Sequence, residues 1–275
     1  YGLVGLYHAK VGGVWDGLLG EGRNTFMFIS SDWHSRGSFG AGDPSTTADF
    51  FPGEMAKLYV DNKVGFTSKA VVRGMRKGNS YSVIGDLVGN DLKFRAKSSS
   101  ADWVGMGETL VAKPGEKITV EMTVTVPKHN NSPYSFDNPL LAQIGTSQPL
   151  NAPMLDHVDL IRGLVSGYRQ PGAADYAGEW PRNTDWLRTD GTTTGLANVP
   201  AAAKNTTAAV IRTFNGAGAS PWVKVSSGVD NTAFLKMSYR IPAVTASQYV
   251  RLRGTNMPAS VPYETDASGN PLADL

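Results

Sequence analysis

Residues 118–126 read ITVEMTVTV: Ile118, Val120, Met122, Val124 and Val126 alternate with Thr119, Glu121, Thr123 and Thr125, and Pro127 closes the run. A period of two places the first set on one face of an extended chain and the second on the other, so the stretch predicts a β-strand with one apolar and one wet face. The alternation recurs at Leu235, Met237, Tyr239 and Ile241 against Lys236, Ser238 and Arg240, and again at Val250 and Leu252 against Arg251 and Arg253. Clusters of Gly, Asn and Pro separate these runs. Half-wet strands joined by turn residues assemble into antiparallel sheets, predicted here as a sandwich-like all-β domain over residues 81–275.

Working towards the N-terminus, the period changes. Residues 12–22, GGVWDGLLGEG, place Val14, Leu18 and Leu19 at helical spacing and stop at Gly22, which predicts a short helix. Residues 25–30, TFMFIS, form an apolar run of strand length without alternation, the pattern of a strand buried on both faces. Residues 35–53 are rich in Gly, Ser, Asp and Pro and read as a long loop. A strand is predicted over 57–60 and a helix over 67–77, TSKAVVRGMRK, closing at Gly78. Residues 1–80 are therefore read as a βα segment distinct from the all-β part. Residues 166–207, rich in Gly, Thr, Asn and Ala, read as a surface excursion between strands.

Composition narrows the function classes. The 26 basic and 24 acidic residues of the 275-residue chain leave a net charge of +2, so there is no strong field for a nucleic acid to exploit. No apolar run approaches the ~20 residues a membrane-spanning helix needs. With no cysteine, disulfides, thiolate nucleophiles and Cys-type zinc sites are excluded, and only His and carboxylates remain as strong metal ligands. No Gly-x-Ser-x-Gly elbow or phosphate-binding loop occurs.

The chemistry-bearing motif is Asp32-Trp33-His34, directly after the apolar run. In extended backbone, residues at i and i+2 point to one face, and a carboxylate beside an imidazole suits divalent zinc, iron or manganese. The same two residues also fit an Asp-initiated turn with a hydrogen-bonded His. A catalytic metal centre needs at least three protein ligands, and the other histidines, His8, His129 and His157, form no His-x-His or His-x-x-x-His pair. His157 and Asp159 repeat the spacing inside DHVDLIRG, where they read as exposed strand residues alternating with Val158 and Leu160; His129, in the turn KHNNSP, reads as solvated. Arg36 can meet a phosphate oxygen through its guanidinium fork or serve as a loop cap or ion-pair partner. Glu54 can orient a metal-bound His or form a surface salt bridge.

Taken together, residues 11–37, VGGVWDGLLGEGRNTFMFISSDWHSRG, resemble the final metal-binding segment of the polymerase and histidinol phosphatase (PHP) family. The resemblance continues in order through TADFFPGEMAKLYV, VVRGMRKGNSY, VDLIRGLVSG and YVRLRGTN, from about Lys10 to Asn256. It implies an α+β chain, the C-terminal segment of a distorted βα barrel (residues 1–80) followed by the sandwich-like domain. Asp32 and His34 would match the family's terminal ligand pair, and two or three divalent ions (zinc, manganese or iron) would activate water to hydrolyse a phosphate ester. The family's earlier His-x-His, Glu and His ligands have no counterpart here. The resemblance therefore implies a chain shortened at both ends, completed by an N-terminal segment or companion chain, and exported to the periplasm or beyond the cell. The rival expectation is a non-catalytic extracellular module that binds or self-assembles through its β domain.

Overall fold

The computed structural model describes residues 8–29, 56–61, 65–168, 204–216, 221–227, 232–262 and 264–272. Its elements, in chain order, are α1 (Val14–Gly20), β1 (Ala56–Val60), α2 (Ser68–Arg76), β2 (Ser80–Ile84), β3 (Lys93–Lys97), β4 (Ile118–Val126), α3 (Pro139–Gln143), β5 (His157–Leu164), β6 (Ala209–Asn215), β7 (Val223–Ser227), β8 (Ala233–Ile241) and β9 (Gln248–Thr255). The chain is thus mixed and strand-rich, with few helices, and every ladder among the described residues is antiparallel.

The alternating runs become the strands they predict. β4 pairs with β8 in a register that sets Ile118 opposite Ile241, Val120 opposite Tyr239, Met122 opposite Met237 and Val124 opposite Leu235. With β3 and β7 outside them, they form a four-stranded sheet in the order β3-β4-β8-β7. A second sheet has the order β6-β5-β9. One apolar core takes side chains from both: Val124 and Met237 from the first, Val158, Leu160 and Phe214 from the second, with Val250 and Leu252 packed at its margin. Burying these side chains is the main stabilising term, each fully buried aliphatic side chain contributing about 1.5–3 kcal/mol. On the outer face of the larger sheet, charges are matched across strands. Glu121 lies opposite Arg95 and accepts from it, while Lys236 Nζ approaches its other oxygen at 2.6 Å.

Both predicted helices form, and both stop at the glycine that marks their end. In α2, Thr67 Oγ1 caps the start by accepting from the Ala70 amide. At its other end Gly78 takes φ +72°, and the amides of Gly78 and Asn79 bond back to Met75 and Gly74. That Schellman closure needs the left-handed backbone glycine adopts without a Cβ penalty.

Two expectations differ from what is found. Residues 25–29 of the apolar run form neither strand nor helix, and Phe28 is 42% exposed. The run gains its burial by packing instead: the Phe26 ring lies against Gly78, and Trp15 Nε1 donates to Thr25 O at 2.9 Å. The segment β1-α2-β2 also differs from a parallel βα crossover. β1 and β2 pair antiparallel, with Val60 opposite Ser80 and the Asp61 amide bonded to Asn79 O, so α2 is inserted at the tip of a hairpin. Among the described residues no closed barrel is formed.

Candidate functional site

Asp32, His34, Arg36 and Glu54 lie outside the described residues. Among the described residues, no group of three His, Cys, Asp or Glu side chains is arranged to hold a metal ion, and no helix is long and apolar enough to cross a membrane. What the structure does describe is how the segment leading towards Asp32 is fixed, and a buried charged cluster beside it.

Helix α1 packs on β5 and β9. At its centre Asp16 is fully buried and meets Arg251 of β9 in a two-pronged ion pair, Nε to Oδ1 and the terminal nitrogen to Oδ2, both at 2.7 Å. Its carboxylate also accepts from the Gly12 amide at 2.7 Å and from the Tyr249 hydroxyl at 2.8 Å. Burial, and then the Asp16 charge, push the Tyr249 phenol above its ordinary value of 10, so it remains a proton donor to that carboxylate. Trp15 stacks its ring 4.9 Å from the Arg251 guanidinium. Asn205 reaches in from the opposite side, donating to Leu164 O and packing against Gly20, whose missing side chain makes room for it.

Two residues along β9, Arg253 makes the second lock. It donates to Asp159 Oδ2 at 2.7 and 3.2 Å, to Ala9 O at 2.9 Å and to Asn270 Oδ1 at 3.0 Å. Thr213 Oγ1 donates to the other Asp159 oxygen at 2.6 Å. His157 sits beside them, its Nδ1 2.5 Å from Asp156 Oδ1 and its Nε2 3.7 Å from Asp159 Oδ2. The expected exposure of His157 and Asp159 is therefore corrected: they are only 8% and 3% exposed. Strand β5 is central in its sheet, and residues 9–12, 258–259 and 267–270 lie over the face that alternation alone reads as wet. His129 is exposed, as the turn around it predicts.

A polar cavity of about 670 Å³ opens beside this cluster, bordered by Asp156, His157, Thr213, Asn215 and the 267–270 turn. Chemically the cluster is a closed charge balance. Both Asp159 oxygens are already engaged, by Thr213 and by Arg253, so the His-x-Asp spacing offers no free carboxylate to a cation; a metal ion would have to displace a buried guanidinium. The Asp159 charge raises His157 above its ordinary value of 6.5, against the opposing effect of burial and with Asp156 adding to it. Burial works to raise Asp159, but His157, Thr213 and Arg253 outweigh it and hold the carboxyl below its ordinary 3.8.

These shifts fix a pH dependence. A raised His157 contributes stability that is fully present below 6.5 and is lost as pH rises through its folded value. A lowered Asp159 contributes stability present above 3.8 and lost as pH falls through its folded value. Both contributions coexist in the mildly acidic window between them. Urea denaturation of the chain is expected to show a fall in stability from pH 6 to pH 9 that flattens in His157→Gln; an unchanged slope in the variant would remove His157 as its source.

Asp16, Arg251 and Arg253 carry no recognisable motif. The signal for them is an Asp inside an apolar helix, VWDGLL, and two Arg at i and i+2 in a strand whose other face is core. No known protein family, curated protein or solved structure matches the chain.

Proposed function

We propose that the chain is part of a PHP-type metal-dependent phosphoesterase, exported from the cell, in which Asp32 and His34 supply two of the ligands for two or three divalent ions (zinc, manganese or iron). The remaining ligands come from a further segment or a companion chain that completes the barrel. The observation that supports this reading is the bidentate Asp16–Arg251 pair. It joins two of the blocks on which the family resemblance rests, residues 10–22 and 249–256, although 235 positions separate the partners. The segment that leads towards Asp32 is thereby anchored on the β domain, in keeping with a β domain that supports the barrel segment.

The ions would supply Lewis acidity for the attack of water on the phosphate ester. The chain's own part is to hold them through Asp32 and His34, to orient that His through Glu54, and to meet a phosphate oxygen with the Arg36 fork. The test is elemental analysis together with hydrolysis of p-nitrophenyl phosphate and bis(p-nitrophenyl) phosphate, with the chain joined to the segment that supplies the other ligands. Two or three ions are expected per chain. His34→Ala should lower the rate by more than the ~10–100-fold typical of losing an outer partner of a metal ligand, with loss of bound metal. Full activity in His34→Ala would end the assignment.

A second reading, a non-catalytic module that self-assembles, is favoured by one feature. Val223 and Val225 on edge strand β7 are 61% and 54% exposed. Light scattering on the same metal-analysed sample separates the two, since a defined homopolymer without metal belongs to this reading alone.

A further inference from the structure

The open edge of β9 combines an unpaired row of main-chain groups with an apolar space beside it. The bonds Val165 N to Ser247 O and Asp156 N to Thr255 O show that the odd-numbered residues of this strand turn their main-chain groups to β5. The N–H and C=O groups of Gln248, Val250, Leu252 and Gly254 therefore point away from the sheet, and no strand of the described residues pairs with them.

A cavity of about 1490 Å³ runs along this edge. Every residue from Gln248 to Met257 borders it. Successive residues of a strand face opposite ways, so a space that touches all of them lies along the strand's edge and not over one face. Residues Ser80–Gly85 border it in the same unbroken way, so β2, which among the described residues pairs only with β1, turns its second edge to the same space. The walls are largely apolar, with Phe26, Met27, Leu92, Leu110 and Leu252 among them. Leu92, Leu110 and Leu252 are only partly buried.

We infer that this space is a strand-addition site, which takes an extended peptide of alternating apolar side chains along β9. Backbone groups left without a partner in an apolar setting lose their hydration without recompense, so the occupant must bring donors and acceptors at strand spacing. A peptide main chain does this while its apolar side chains fill the walls; an acyl chain covers the walls and leaves the edge unmet. The two edges of the larger sheet differ from it. The Ala96–Val104 bridge covers β3, and a bulge between Lys224 and Ser226 breaks the regularity of β7. The inference is independent of the phosphoesterase reading.

The test adds acetyl-(Thr-Val)4-amide to the chain and follows amide exchange residue by residue. Exchange at Val250, Leu252 and Gly254 is expected to slow at least tenfold at saturating peptide, with Val223 to Ser227 unchanged. The same peptide methylated on every backbone nitrogen keeps its apolar side chains and is expected to bind at least tenfold more weakly. Absence of binding, protection confined to β7, or equal binding of the methylated peptide would each overturn the inference.

Discussion

Asp16→Ala is expected to destabilise the chain by about 3–5 kcal/mol, the cost of leaving a buried guanidinium without its counter-charge. The magnitude follows from geometry: Asp16 has no exposed surface, Arg251 is 5% exposed, and among the described residues the carboxylate is the only charged partner of that guanidinium. Gly12 and Tyr249 would lose their acceptor as well. The loss should appear as a fall in melting temperature of about 10 °C. Removing both charges in Asp16→Leu with Arg251→Met should recover much of it, because the penalty lies in the stranded charge more than in the lost attraction. A single substitution costing under about 1 kcal/mol would mean that α1 is held by its apolar contacts alone.

Gly107→Ala is the second large effect. Gly107 has φ +74°, and a Cβ there would stand 1.7 Å from the Lys77 carbonyl oxygen. The left-handed conformation costs a non-glycine residue about 1–2 kcal/mol. The clash is with main chain and cannot be relieved by a rotamer change, adding about 1–3 kcal/mol of overpacking. The expected loss is about 2–5 kcal/mol in total, with increased proteolysis of residues 105–112 as that segment lifts from the end of α2. Gly115→Ala provides the comparison: φ is +86° but nothing lies within 4 Å, so only the conformational cost should be seen in denaturant melts. Equal losses at the two positions would show that the contact with Lys77 contributes nothing.

The legibility of the fold divides along one physical line. Where a pattern reports local geometry it is readable: β4 and β8 announce themselves by alternation, and α1 and α2 by apolar spacing and a terminal glycine. Where burial depends on a distant partner it is not. Alternation in β5 and β9 identifies Val158, Leu160, Val250 and Leu252 as core-facing, but reads His157, Asp159, Arg251 and Arg253 as wet. They are buried because residues 9–16, some 240 positions from β9, bring the complementary charge and carbonyl groups. The run 25–30 fails in the opposite sense: apolar content predicts burial, but a strand needs a pairing edge, and residues 25–29 find none among the described residues. At the candidate site the sequence offers the Asp32 and His34 pair with Arg36 and Glu54, all outside the described residues; at His157 it offers the His-x-Asp spacing but not the burial that Arg253 and residues 9–12 bring to it.

The two locks at Asp16 and Arg253 join the first residues of the described chain to almost the last. A ribosome adds roughly 5–20 residues each second, so α1 waits many seconds for β9 to be made before either ion pair can close. The charged side of α1 is therefore synthesised long before its partner exists, and pairings of such sequence separation are among the slowest to form. Folding of this chain should consequently be completed only after β9 has been synthesised, with residues 9–16 joining last and most exposed to chaperones until they do.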